Sequence, residues 1–275
     1  MARLISTTVR LEEVGYFLRE NRVEARLKCR PQGLLGLLVG FAAALPACAT
    51  GAKTEDAAPS AAGAYVTYAT GEYLLRGRLC KPEGAGPFPA VVYNHGGREN
   101  RIGGAPDETC AALARAGFVG FSPIRRPTSP FVGHPRDVVT AIDYVAALPY
   151  VDGTRLGLIG FSSGATVTYM VAARRLDLKA VVIMGTAGVE GRLNVDPSRI
   201  TAPIFVLVAE NDTGSKYTFG KNTVASSDDL VAKLKQAKRD VTYTVYPPYR
   251  TDGHLMFYEI GPYWTDVVNF LKKHV

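Results

Sequence analysis

The sequence predicts an α/β domain in which a mostly parallel sheet of about eight strands carries helices on both faces. From residue 64 onward, short β-rich runs alternate with helical patterns, which is typical of parallel sheets. Two runs, AVVIM at 180–184 and IFVLVA at 204–209, are apolar throughout, as strands buried on both faces are. The composition, 47% hydrophobic and 21% charged in 275 residues, is that of an ordinary globular protein.

The strand predictions rest on β-branched and aromatic runs bounded by glycine, proline or polar residues. The first two strands form a hairpin that turns at Gly71, and the later ones alternate with helices. The predicted strands are residues 64–70, 72–80, 89–94, 118–121, 155–161, 180–184, 204–209 and 241–246.

The helix predictions rest on apolar spacing and on residues typical of helix ends. The first helix carries Asp107 and Glu108 in its first turn, and Gly117 stops it. In the second, Val138, Ile142 and Val145 share one face. The predicted helices are residues 106–116, 135–148, 163–175, 226–238 and 262–274.

Charge and hydropathy exclude several classes of protein. The net charge is +7, but no block of lysines and arginines is interleaved with aromatic residues, so we expect no nucleic-acid partner. No apolar run reaches the ~18 residues of a membrane-spanning helix, which excludes a polytopic membrane protein. No second ligand has a suitable spacing from His95, so we expect no metal and no cofactor.

Residues 1–47 are predicted to be an export signal. A basic stretch, residues 22–30, precedes an uncharged apolar run at 33–45, and small residues follow. This order is that of a signal segment, and the apolar run is too short to span a bilayer. A buried apolar helix is the other interpretation of the run. Residues 48–63 are small and polar, which predicts a flexible tether to a domain at 64–275.

The sequence around Cys48 (LPAC) resembles a bacterial lipobox, in which the cysteine after the cleavage site receives lipid. This resemblance implies a membrane-anchored lipoprotein of a bacterial envelope. Ordinary cleavage near Ala47 and Ala49 is the alternative, and it implies a periplasmic or secreted protein.

Export also bears on the remaining cysteines. If Cys29 leaves with the signal and Cys48 is lipidated, Cys80 and Cys110 remain. Two cysteines in an oxidising compartment could pair as a disulfide, and two unrelated buried thiols are the alternative.

Residues 160–164 (GFSSG) match the pattern G-x-S-x-G between a predicted strand and a predicted helix. In such a turn, the serine stands at a sharp, strained corner, and small residues on either side let the chain pass. Ser162 is therefore the candidate nucleophile. The backbone N–H of Ser163 begins the following helix and is a candidate oxyanion donor.

A serine hydroxyl needs a general base, and the base needs an acid to orient it. His254 lies between the last strand and the last helix, which places it at the carboxyl edge of the sheet. Asp212 follows the strand at 204–209, and Glu210 is its nearby rival. We predict Ser162, Asp212 and His254 as the catalytic residues.

The second oxyanion donor is predicted in residues 95–97 (HGG), which follow an earlier strand. Such a turn brings backbone N–H groups toward the nucleophile; Gly97 is the preferred donor, and Arg98 is the next candidate. His95 is then structural and holds the turn.

Residues 64–275 resemble the α/β-hydrolase family, and most closely its dienelactone-hydrolase-like branch with its esterase and peptidase relatives. The order Ser162, Asp212, His254 is that of the family. Dienelactone hydrolases proper carry a cysteine nucleophile, so lactone specificity is not transferred to Ser162. Only about twenty residues separate the strands at 180–184 and 204–209, which leaves no room for a large cap domain.

The predicted function is hydrolysis of small-molecule carboxylic esters through an acyl-enzyme. The alternatives are a serine peptidase of the oligopeptidase-like branch and a non-catalytic, surface-anchored binding protein. Four arginines, Arg98, Arg101, Arg125 and Arg126, lie in loops expected near the site, where they would bind a substrate carboxylate or remain solvated. Arg125 and Arg126 are the predicted substrate-binding residues. The sequence makes no prediction of oligomeric state.

Overall fold

The computed structural model describes residues 60–98, 101–188 and 195–275. The predictions for the signal segment 1–47, for lipidation of Cys48 and for the tether as far as residue 59 lie outside the described residues. None of the helices within the described ranges combines the length and apolarity that a membrane crossing requires.

In the described residues, eight strands form one sheet. They are β1 (Ala64–Ala69), β2 (Leu75–Cys80), β3 (Phe88–Asn94), β4 (Val119–Pro123), β5 (Val151–Phe161), β6 (Ala180–Met184), β7 (Ile204–Ala209) and β8 (Val241–Tyr246). Their order across the sheet is β1-β2-β4-β3-β5-β6-β7-β8. The pairs β1–β2 and β2–β4 are antiparallel, and the other neighbouring pairs are parallel. The carboxyl ends of β3 to β8 therefore meet at one edge.

Helices cover both faces of the sheet. They are α1 (Pro106–Arg115), α2 (His134–Ala146), α3 (Ser163–Ala172), α4 (Thr223–Gln236) and α5 (Trp264–His274). One apolar core joins the sheet to α2, α3 and α4, through residues such as Ile142, Val167 and Leu230. The other core joins it to α1 and α5, through Leu113 and Leu271. The fold class predicted from the sequence is confirmed.

The predicted elements differ from the observed ones mainly at their ends. The bounds of β6, β7 and β8 coincide with the prediction. β5 begins four residues early because Val151 pairs with Phe88 of β3, although Asp152 and Gly153 are typical of a turn. α4 begins three residues early because the Asn222 side chain accepts a hydrogen bond from the Ala225 N–H.

Cys80 at the end of β2 and Cys110 in α1 are joined as a disulfide, with their Cα atoms 5.6 Å apart. Both residues are fully buried and pack with Ala114 in a small cluster of their own. The bond links the antiparallel edge of the sheet to the helix beneath it.

Candidate active site

Ser162 stands at the turn between β5 and α3 with φ 55° and ψ −120°. A residue other than glycine rarely adopts a positive φ, and such strain is concentrated at functional sites. Two sets of backbone bonds hold the turn. The Ser162 N–H donates to the Met184 carbonyl (3.0 Å), and the Ser162 carbonyl accepts from the Ala165, Thr166 and Ala187 N–H groups.

Close packing explains why glycines flank this serine. A Cβ atom on Gly160 would overlap Thr168 Oγ1, and one on Gly164 would overlap the carbonyls of Asn94 and His95. The start of α3 therefore lies directly against the end of β3. The sequence predicted that only small residues fit beside Ser162, and the structure shows the atoms that a larger side chain at Gly160 or Gly164 would overlap.

Asp212 and His254 come together as a buried pair. Asp212 Oδ2 lies 2.7 Å from His254 Nδ1, and the two side chains are 0% and 1% exposed. Glu210, the rival acid, is exposed. Asp252 instead accepts the His254 N–H through Oδ1 (2.9 Å) and so begins the 3₁₀ helix Gly253–Tyr258.

Three further residues position this pair. The sequence singled out Gly253 only as part of the motif with His254, and it gave Asn211 and Gly185 no role. Asn211 joins the two loops, because its Oδ1 accepts the Tyr249 N–H at 2.8 Å. Gly253 lets the loops approach, because a Cβ there would lie 2.6 Å from the Asp212 nitrogen. Gly185, with φ 47°, leaves room for both side chains. A glycine directly after β6 and an asparagine before Asp212 were the available signals.

The HGG turn lies beside the serine turn. Gly97 has φ 86°, and a Cβ there would overlap the Arg101 carbonyl, so only glycine fits. The Ser163 hydroxyl donates to the Gly97 carbonyl at 2.5 Å, which joins the two turns. His95 is buried and its Nδ1 lies 2.6 Å from the Gly96 carbonyl. These contacts bring the two predicted oxyanion residues together.

A cavity of about 380 Å³ opens onto Ser162, and Gly97, Ser163 and Phe131 also line it. Ser162 Oγ and His254 are not hydrogen-bonded to each other in the structure. The imidazole nevertheless lies close to the serine turn, because the ring of Phe161, the residue before Ser162, is 4.6 Å from it, centre to centre. In unliganded sites this type of bond is commonly long and tightens only with substrate. In the described ranges, no three His, Cys, Asp or Glu side chains are grouped to hold a metal ion.

Arg125 and Arg126 do not line the Ser162 cavity, which corrects their predicted role as carboxylate ligands there. Arg125 is 5% exposed, and its Nη1 donates to the His95 carbonyl at 2.7 Å. Burial lowers the pKa of Arg125 to about 10. Arg126 binds Asp137 through Nε (3.0 Å) and Nη2 (2.7 Å). Arg126 is thus paired with a carboxylate of the protein and Arg125 is bound through one nitrogen to a backbone carbonyl, and both line a separate cavity away from Ser162.

The strand order, with a strained serine after β5 and a buried Asp–His pair at the same sheet edge, defines an α/β-hydrolase fold. Residues 133–250 match the model of the Dienelactone hydrolase family. Over 170 residues the chain is 25% identical to Protein usf of Aquifex pyrophilus, covering 54% of this chain and 72% of that protein.

Solved structures show the same fold. Dipeptidyl peptidase 4 of Porphyromonas gingivalis superposes with a TM-score of 0.60 at 17% identity, covering 78% of this chain and 35% of the peptidase chain. This chain thus spans about a third of that peptidase. A thermophilic esterase of Thermogutta terrifontis with bound propionate gives a TM-score of 0.59 at 14% identity, covering 77% and 93% of the two chains.

Proposed function

We propose that the protein is a serine hydrolase that cleaves carboxylic esters by way of an acyl-enzyme. The observation that carries the proposal is the buried contact of 2.7 Å between Asp212 and His254 at the same sheet edge as the strained Ser162. The match to the Dienelactone hydrolase family and the fold shared with an esterase support this class of reaction.

In the first half-reaction, Ser162 Oγ bonds to the ester carbonyl carbon, and its proton passes to His254 Nε2. The imidazolium then gives this proton to the departing alcohol oxygen as the ester C–O bond breaks. Asp212 holds Nδ1–H and stabilises the imidazolium, and it stays ionised throughout.

In the second half-reaction, water attacks the acyl-enzyme and His254 takes the proton of the water. This proton returns to Ser162 Oγ as the carboxylic acid leaves, so one ester and one water give one acid and one alcohol. The N–H groups of Gly97 and Ser163 receive the negative oxygen in both steps. Each such donor stabilises the transition state by about 3 kcal/mol.

The test compares 4-nitrophenyl butyrate with an alanyl-4-nitroanilide and follows release of the chromophore from each. We expect turnover of the ester and little of the anilide. Ser162→Ala should lower turnover to below about a thousandth of wild type. Ser198→Ala is the control, because Ser198 is an exposed serine outside the cavity lining, and it should keep wild-type turnover.

Three results would contradict the proposal. Faster cleavage of the anilide than of the ester would favour the peptidase alternative. Full activity of Ser162→Ala would move the nucleophile elsewhere, and no turnover of either compound would favour a binding protein. Labelling by a fluorophosphonate, followed by mass spectrometry, should place the adduct on Ser162.

We also propose that Cys48 carries a lipid after cleavage of residues 1–47, with residues 48–63 as the tether. The proposal is supported by the LPAC sequence and the apolar run before it. The full-length protein expressed in a bacterium should partition into the membrane fraction and incorporate labelled palmitate. Cys48→Ala should release it to the soluble fraction, and unchanged partitioning would refute the anchor.

A further inference from the structure

Backbone strain is concentrated around the Ser162 cavity. Five described residues other than glycine have φ between 48° and 71°, and three of them, Phe131, Ser162 and Phe219, line this cavity. The proposed reaction explains the strain at Ser162, because the nucleophile turn requires it. It does not explain why two aromatic residues adopt the same conformation in different loops.

Phe219 contributes little to the fold that would offset its strain. It has φ 55°, and its side chain is 58% exposed. It lies in a tight loop in which the Gly220 N–H donates to the Ser215 carbonyl at 2.7 Å. A glycine at position 219 would make this turn without strain. An exposed, strained phenyl ring beside a nucleophile therefore points to a ligand.

Phe131 is presented to the cavity by a loop that is firmly held. Its N–H donates to His134 Nδ1 at 3.3 Å, and the Val132 N–H donates to the Ser129 carbonyl at 3.1 Å. Phe131 has φ 71° and is half-buried. The loop after β4 thus brings Phe131 to the cavity wall, and the loop after β7 brings Phe219 and its neighbour Tyr217.

The charged residues of the described cavity wall are both cationic. They are Arg98 and Lys221, and the part of the lining that the structure describes contains no Asp or Glu. The Arg98 guanidinium lies 4.7 Å from the centre of the Phe219 ring, within the range of a cation–π contact. The aromatic wall and the positive charge are therefore adjacent.

We infer that this cavity selects esters of aromatic acids that carry a negative charge on the ring. Phe131 and Phe219 contact the ring, and Arg98 and Lys221 attract the charged substituent. The inference rests on the proposed function, because it requires Ser162 to be the nucleophile. It keeps Arg98 in the role of carboxylate ligand that the sequence allowed, and it gives Lys221 the role predicted for Arg125 and Arg126.

The experiment measures kcat/KM for four methyl esters, which combine an aromatic or an aliphatic acid with a neutral or a negatively charged substituent. Methyl benzoate and methyl 3-carboxybenzoate carry the ring, and methyl hexanoate and monomethyl adipate do not. The second of each pair is charged. We expect wild type to prefer the ring esters about five- to tenfold, as aromatic contacts allow. We expect a further preference of about threefold for the charged partner, lost in high salt.

Phe219→Gly tests the aromatic contact. It should lower kcat/KM for the two ring esters about five- to tenfold more than for the two aliphatic esters, and so remove the preference for the ring. It should also raise the unfolding midpoint by about 2 °C through relief of strain. Lys238→Gly is the matched control, because Lys238 has φ 57° and lies outside the cavity. It should leave all four rates unchanged.

Lys221→Gln tests the charge. It should remove the preference for the charged esters, whereas Lys216→Gln, an exposed lysine of the same loop outside the cavity lining, should not. Equal kcat/KM for ring and aliphatic esters in wild type would overturn the inference. So would an equal loss on all four esters, or a fall in the unfolding midpoint, in Phe219→Gly. Turnover of 4-nitrophenyl butyrate that depends on Ser162 would show that the proposed function survives either failure.

Discussion

Replacing Asp212 by asparagine removes a charge from the buried pair and little else. The two side chains have nearly the same shape, and Asp212 is 0% exposed, so repacking is small. The asparagine amide can also present an N–H to His254 and so favour the wrong tautomer. We expect the variant to fold, to keep the KM of wild type and to lose most of its kcat.

The size of the loss follows from the geometry. Asp212 Oδ2 lies 2.7 Å from His254 Nδ1, and the centres of charge are about 3–4 Å apart. At an effective dielectric constant of about 20, this separation gives about 4–6 kcal/mol between the carboxylate and the imidazolium. The imidazolium is formed only on the way to the transition state, so the attraction acts on kcat. A loss of about three to four orders of magnitude is expected.

The assay is steady-state hydrolysis of 4-nitrophenyl butyrate, with urea unfolding to verify that the variant is folded. Glu210→Gln is the matched control, because Glu210 is an exposed carboxylate two residues away. It should retain wild-type kcat within about twofold. Asp212→Asn retaining more than a tenth of kcat, or Glu210→Gln losing as much as Asp212→Asn, would refute the assignment of the acid.

Three other predictions concern stability. Arg125→Met leaves the buried His95 carbonyl without its donor, so urea unfolding should show a loss of about 1–3 kcal/mol, and a loss below 0.5 kcal/mol would count against the contact. The disulfide between Cys80 and Cys110 spans 30 residues, so dithiothreitol should lower the free energy of unfolding by about 3–4 kcal/mol, and insensitivity to the reductant would exclude the bond. Burial, with the charge of Arg125 added, lowers the pKa of both His95 and His134, so the unfolded chain binds more protons at acid pH. The stability that the two neutral histidines contribute is present above the ordinary histidine pKa of 6.5 and is lost as pH falls below it. Urea unfolding at pH 7.5, 6.5 and 5.5 should show this decline. Equal stability of wild type and a His95→Gln/His134→Gln double variant at all three pH values would contradict the prediction.

Much of the fold and the outline of the site are local properties, and the sequence predicts them. A run such as IFVLVA has apolar side chains on both faces of a strand, so its burial and the bounds of β7 can be predicted from its own residues. GFSSG predicts its own turn, because the strand before it and the helix after it leave one sharp path for the chain. The need for two glycines in that turn could be predicted from their small size alone. In the structure, backbone or side-chain atoms stand where their Cβ atoms would be.

Contacts between segments that are distant in the sequence could not be predicted from local patterns, and only the tertiary structure shows them. Both Glu210 and Asp212 follow β7, and the approach of the Gly253 loop leaves Asp212 in contact with His254 and Glu210 in solvent. Arg125 and Arg126 are loop arginines in the sequence, yet buried partners, the His95 carbonyl and Asp137, occupy them. Lys221 gave no local signal at all, because its place on the cavity wall depends on how the loop after β7 folds back. A side chain's chemistry is local, whereas its partners are set by packing across the sheet edge.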